Sequence, residues 1–362
     1  MKRIVKGYVG DVTMGDVRRL FDRDAREAYA ILTKDQADAH PGAGRIRRFF
    51  HRTRLLLRGM ASKLSPVRRL LFVTSLVAAI LGFVQIRADI ASRGIEVDTS
   101  PFWFVVSILG LVFLLALELV DRIRVRDELE VARALQLELL PRTTPSLPGY
   151  EVAHSYRTAN EVGGDYYDFV PLPDGRIAVV IGDASGHGMA SGLLMAIANA
   201  TLKLALDLDP APAKVLALLN TVMCRTGNRR SFMTLFYGLL TPEDGTLEYS
   251  DAGHPYPLLR RADGTIVELG RGGLPLGIRS ELPTTTESVD LGPGDSLALY
   301  TDGLPEAINR AGEAFGYERV RALVAAGGSP SAVHDRTLAT FRAFLGDEPL
   351  RDDACFVVLA RV

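Results

Sequence analysis

Two stretches of this 362-residue chain carry no charge over the length of a membrane-spanning helix: "LLFVTSLVAAILGFVQI" from Leu70 to Ile86 and "TSPFWFVVSILGLVFLLAL" from Thr99 to Leu117. They constrain the fold more than any other feature, because a helix apolar on every side has to be covered by protein or by lipid. The flanking charges favour lipid. The basic stretch ending "PVRR" precedes the first run and "DRIRVR" follows the second, while the connecting "RADIASRGIEVD" sets Arg87 and Arg93 against Asp89, Glu96 and Asp98. By the positive-inside rule both termini are cytoplasmic and the short loop is external. The expected location is the inner (cytoplasmic) membrane, crossed twice, and the opening "MKRIVKGYVGDVTMGD" does not read as an export signal.

The formal net charge of -1 conceals an asymmetry, since residues 41–69 hold nine Lys/Arg and no Asp or Glu. Within them Ile46, Phe49, Phe50, Leu56, Leu57, Met60 and Leu64 recur at helical spacing with arginines between. That pattern predicts a helix lying on the cytoplasmic face of a bilayer, its charges drawn to anionic lipid. No DNA-binding motif accompanies the arginines, so membrane lipid is the expected partner and nucleic acid is not. Residues 1–40 remain unassigned.

After the second run the chain continues without Gly or Pro through "DRIRVRDELEVARALQLELLP". Val125, Leu129, Ala132, Gln136 and Leu139 follow 4-3-4-3 spacing, a candidate coiled-coil seam for a homodimer. The organisation expected is an N-terminal segment (1–40), a surface segment (41–69), two spans (70–120), a linker helix (121–141) and a globular domain (142–362).

The globular part reads as strands near 150–157, 166–171, 176–182, 232–240, 245–251, 256–261, 283–289 and 294–300, with a last strand in "DACFVVLAR". Gly-poor helical blocks lie at 190–208, 211–227, 316–326 and 330–345. Segregated strands and helices argue for an α+β fold with antiparallel sheets. Cys224 and Cys355 are far apart, outside any CxxC pattern, and read as buried thiols in a reducing compartment.

Carboxylates recur at the predicted strand ends. Asp165 closes "EVGGD", Asp183 ends "RIAVVIGD", Asp302 follows "LALYT", and Asp352 and Asp353 open the final strand. Several aspartates on separate strand termini suit hard cations such as Mg or Mn. Two such ions sharing a water activate it toward phosphorus. The small residues after Asp183, "ASGHG", leave room for a backbone carbonyl to join such a site.

The ordered blocks "EVGGDYYDF", "VVIGDASGHGMASGLLMA", "FMTLFYGLL", "YSDAGHPYPLL", "GGLPLGI", "LGPGDSLALYTDGLPEA" and "RDDACFVVLAR" resemble the SpoIIE/RsbU branch of the metal-dependent protein phosphatase 2C (PPM) superfamily. The resemblance covers about residues 132–362. It implies a PPM-type sandwich of two antiparallel β-sheets flanked by α-helices, here preceded by a two-helix transmembrane hairpin and a linker helix. It also implies two Mn2+ or Mg2+ ions, with Asp183 bridging, the Ala184 carbonyl completing one ion's shell, Asp165 holding a metal-bound water or a ligand position, and Asp302 and Asp352 completing the other ion's set. Asp183 and Asp165 are thereby the catalytic candidates, with Asp353, His187 and Gly303 secondary. His187 does not align with the histidine of the eukaryotic branch, and His254 in "AGHPYP" reads as packing. Cys355 stands where the family usually has threonine, and Asn160 is near the place of the arginine with which eukaryotic relatives grip phosphate. The implied substrate is phosphoserine or phosphothreonine on a partner protein, commonly a STAS-domain anti-sigma-factor antagonist. A two-metal nucleotide cyclase and a catalytically weak sensor or scaffold are the competing functions.

The charge bias makes a topological prediction. An impermeant thiol reagent added to intact cells should label a cysteine placed at Ser92 and miss one at Ser146. Equal labelling would refute the hairpin.

Overall fold

The computed structural model describes residues 45–83, 87–90, 95–141, 147–186, 188–226 and 231–362. The chain divides into two compact units, Met1–Arg124 and Val125–Val362.

In the first unit, α1 (Arg45–Lys63) and α2 (Pro66–Phe83) precede an antiparallel hairpin of β1 (Arg87–Ile90) and β2 (Ile95–Asp98), after which α3 (Ser100–Glu138) begins. The short loop expected between the apolar runs carries this hairpin. By length and composition α2 and α3 are apolar enough to cross a membrane. They meet through small residues. Ser75, Ala78 and Gly82 are buried on α2, as is Ser107 on α3. A Cβ on Gly82 would lie 3.0 Å from the Phe104 ring, and one on Gly110 would overlap Ser75 Oγ, so glycine permits the approach. Leu70, Ile80, Leu109 and Leu115 face outward, an apolar surface that lipid covers better than water. At the charged ends of the pair, Arg68 donates to Glu118 at 2.9 Å and meets Asp121 at 2.6 Å.

The second unit holds two five-stranded antiparallel sheets. One has β4 (Asp165–Pro171), β5 (Ile177–Ala184), β6 (Met233–Leu240), β7 (Thr246–Ala252) and β10 (Glu287–Asp290), in the order β10-β7-β6-β5-β4. The other has β3 (Tyr150–Arg157), β8 (Leu258–Arg260), β9 (Ile266–Glu268), β11 (Ser296–Tyr300) and β12 (Ala354–Arg361), ordered β3-β12-β11-β8-β9. Strand β9 is not expected from the sequence, because "IVE" is too short and too exposed to show alternation.

Period-two alternation places each strand between two layers. On β11, Leu297 and Leu299 join the core shared with the first sheet, whereas Ala298 and Tyr300 face α6 (Tyr317–Ala325) and α7 (Pro330–Leu345). On β12, Cys355, Val357 and Leu359 face inward, with Phe356 and Val358 on the helix side. The outer face of the first sheet is covered by α4 (Met189–Leu208) and α5 (Pro212–Thr226). Being covered on both faces explains why "IAVVI" and "LFYGLL" are apolar at nearly every position. Helix α4 is also apolar enough to cross a membrane, yet Leu194, Met195, Ala198, Leu202 and Leu206 are buried in this core, which makes it a helix of the globular unit. The expected flanked sandwich is the one observed. Cys355 is buried as expected, while Cys224, near the end of α5, is only half-buried.

Candidate active site

Strands β4 and β5 pair so that Asp165 lies opposite Asp183, which in turn lies opposite Thr234 on β6. Directly opposed residues share a face, so register alone brings the two carboxylates together at one end of the first sheet. The second sheet supplies the rest from a similar position. Asp302 lies two residues beyond the end of β11, and Asp352 lies two residues ahead of its neighbour β12.

Burial pushes the Asp183 carboxyl up to about 8, reinforced by the charges of Asp302, Asp352 and Asp353. Asp165 is 1% exposed and is raised by burial and then by Asp183, opposed by a hydrogen bond from Thr301 Oγ1 at 2.6 Å. Thr301 Oγ1 itself accepts from the Cys355 amide at 2.9 Å, which fixes the hydroxyl's orientation. Asp302 is pushed up to about 6 by burial, Asp352 and Glu306, and its buried Oδ1 has no hydrogen-bond partner. Such a cluster holds protons unless a cation replaces them.

The donor set fits Mg2+ or Mn2+. It consists of oxygens, and one of them is buried and unsatisfied. Among the described residues no three ligating side chains converge closely enough to hold an ion alone, so an ion here would need water and the Ala184 carbonyl as further ligands. Gly164 keeps the Ala184 carbonyl clear, since a Cβ there would come within 2.6 Å of that oxygen.

The remaining candidates divide by role. Asp352 is exposed, with Oδ1 accepting from the Asp353 amide at 2.9 Å. Asp353 is 4% exposed and has both oxygens engaged, accepting from the amides of Ala159 at 2.7 Å and Gly164 at 2.6 Å. It ties the start of β12 to the loop before β4. Gly303 packs so tightly that a Cβ would overlap the Asp353 carbonyl. His254 is buried and held neutral, burial pushing its pKa down to about 3 against the pull of the Tyr300 carbonyl, and its Nδ1 pairs with Thr234 Oγ1 at 3.0 Å. Asn160 is exposed. His187 lies outside the described residues.

Two supporting residues were missed by the sequence reading. Thr301 was hidden beside a more conspicuous aspartate. Heptad spacing places Gln136 in a dimer seam, whereas its side chain is 5% exposed and clasps Gly163, accepting from the amide at 3.0 Å and donating to the carbonyl. Leu139, from the same predicted seam, packs on the core. The discriminating signal was a glutamine among leucines on the inward face of an amphipathic helix. The apolar side chains left exposed on this part of α3 are Val125, Val131, Leu135 and Leu137; Val131 and Leu135 lie about 100° or more from Gln136 around the axis.

The pattern of the Stage II sporulation protein E (SpoIIE) family matches residues 173–362, over half of the chain, and the protein belongs to this family. Asp165 falls ahead of the matched stretch. The chain is 28% identical to protein IcfG of Synechocystis sp. over 57% of its own length and 37% of that protein's. It is 29% identical to phosphoserine phosphatase RsbU of Bacillus subtilis, over 50% of this chain and 54% of that one. It thus spans about half, or less, of these curated relatives. Among solved structures, the SiaA-PP2C domain of Pseudomonas aeruginosa matches with a TM-score of 0.58 at 22% identity, covering 67% of this chain and 98% of that one. The RsbU and RsbW domains of Rv1364c from Mycobacterium tuberculosis match at 0.52 and 28%, covering 62% and 63%. The fold is PP2C-like.

Two predictions follow from these contacts. Raised carboxylate pKa values mean that the folded, metal-free domain binds protons more tightly than the unfolded chain, so its stability falls as pH rises from about 4 toward 8. Asp183→Asn should flatten that slope and raise the melting temperature at pH 8 in a chelator, by about 2–4 °C for each kcal/mol of relieved repulsion. Thermal unfolding of wild type and variant at pH 5 and pH 8 checks the sign. Gln136→Ala leaves two buried backbone groups unpaired, at about 1–3 kcal/mol each, and should lower denaturant stability accordingly, while Leu135→Ala should not.

Proposed function

We propose that this protein is a membrane-anchored, metal-dependent protein serine/threonine phosphatase. The observation that carries the reading is the meeting of Asp165 and Asp183 across β4 and β5, with Asp302 and Asp352 in electrostatic reach of Asp183. Family membership supports the reaction class, and the relatives RsbU and RsbP bear the name phosphoserine phosphatase. Asp165, Asp183, Asp302, Asp352 and the Ala184 carbonyl would hold two Mn2+ or Mg2+ ions. Bound there, such ions lower the pKa of water and offset the charge of a phosphoryl group.

The chain's own groups set up this chemistry. Thr301 fixes one oxygen of Asp165, Asp353 anchors the loop that carries Gly164, and Gly164 leaves the Ala184 carbonyl open to the site. A phosphorylated STAS-domain antagonist is the substrate class we assign, by analogy with the branch the sequence resembles. The spans, the basic helix α1 on anionic lipid and a cytoplasmic catalytic unit complete the reading. Pairing of two copies along α3 would use Val131 and Leu135, since Gln136 and Leu139 are engaged within the chain.

The test is phosphate release from a phosphoserine protein by the purified chain. Turnover should require Mn2+ or Mg2+ and stop on chelation, and Asp183→Asn should reduce it by orders of magnitude with circular dichroism unchanged. Full activity of that variant at saturating Mn2+ would overturn the assignment.

A further inference from the structure

Next to the carboxylate cluster lies a cavity of about 540 Å3 that shares Asp302 with it. Its walls come from the turn after β7, from β9 and from α6. The charge of the lining is one-sided, with acids Asp251, Glu268, Asp302, Glu306 and Glu318 against the single base Arg321. Arg321 is already engaged, at 2.7 Å from Glu268. Four carboxylates therefore have no basic side chain opposite them within the lining.

The inner part of the lining is polar and incompletely satisfied. Asp251 accepts from the His254 amide through Oδ1 at 3.0 Å, but its buried Oδ2 has no partner. His254, 2% exposed, lines the same cavity with Nδ1 on Thr234, and the Tyr300 carbonyl pulls on its ring without completing a hydrogen bond at Nε2. Buried polar atoms left in this state call for a ligand that brings hydrogen bonds. Tyr256, Tyr300 and Tyr317 complete the walls, and Tyr317 is half exposed with its hydroxyl pKa raised by burial, Glu306 and Asp302. The Tyr256 ring lies against Gly270, where any Cβ would collide with it, so the loop after β9 is shaped around the aromatic wall.

Acids and tyrosine faces together recognise a cation. The tyrosine faces among the acids favour an organic cation over a compact metal ion. A guanidinium suits the space better, since its five donors spread over separated carboxylates while its plane stacks on tyrosine. We propose that this cavity receives an arginine side chain of the protein substrate, lying within a few residues of the phosphorylated serine or threonine. The proposal rests on the phosphatase reading. Asp302 supplies the link: a phosphoryl group at the cluster places the neighbouring substrate residues, at about 3.3 Å per residue of extended chain, beside the cavity mouth.

The experiment uses the full chain in detergent with Mn2+. Its substrates are an aryl phosphate, an alanine-based phosphoserine peptide, and a set of that peptide with one arginine at each nearby position on either side. At the best position arginine should raise kcat/KM about ten-fold over the alanine peptide. The Glu268→Gln/Glu318→Gln double variant, which also frees Arg321 to repel an arginine, should lose that preference and keep its rate on the aryl phosphate, and Tyr256→Leu should weaken the preference in the same way. Aryl phosphate turnover with equal rates on all peptides overturns the cavity proposal and leaves the phosphatase reading standing. A preference that survives in the double variant also overturns it. Failure to turn over any substrate overturns the phosphatase reading, and the cavity proposal with it.

Discussion

The pairing of Asp165 with Asp183 is the constraint around which the globular unit is arranged. Two carboxylates side by side at a sheet end, one of them fully buried, repel each other and lose hydration. A fold keeps such an arrangement only if its surroundings hold the backbone in place without neutralising the acids. Thr301 donates to one oxygen of Asp165, and the other acids of the cluster add negative charge to it. A carboxylate cluster of this kind attracts cations and costs stability in their absence, the trade expected where function needs a destabilised group.

The supporting contacts are mostly backbone contacts, and they explain the glycines. Gly163 and Gly164 pass between Asp353, Ala184 and Ser191 at distances no side chain would tolerate. Asp353 fastens this loop from the β12 side and Gln136 fastens it from α3. The same short segment therefore positions Asp165, keeps the Ala184 carbonyl open and anchors the end of the long helix. A disturbance in any of the three contacts reaches the others through a few peptide units.

Helix α3 links the two units covalently, beginning in the apolar sequence of the first and ending at Glu138 in the second. Its two ends obey different chemistry. Near its start, Ser107 and Gly110 allow a close neighbour, as in helices that meet without help from water. Near its end, Gln136 and Leu139 satisfy and fill the edge of a water-soluble core.

Much of this was already determined by the sequence. Charge-free runs of span length, strands apolar at every position and aspartates beside glycine follow from local rules, and the ordered motifs carried the family resemblance. Asp165, Asp183 and Asp302 were legible because each stands at or just beyond one end of a strand. Tertiary structure alone decided which acids are free. Asp352 and Asp353 are adjacent in sequence, and only the approach of the loop before β4 makes the second a backbone clamp while the first stays exposed. Gln136 shows the same limit, because heptad spacing gives a helix its faces but not what each face meets. The acidic, tyrosine-lined cavity was invisible for a related reason: its walls are separated by up to 87 residues, from Thr234 to Arg321, and the closure that gathers them is a property of the packed sheets and α6.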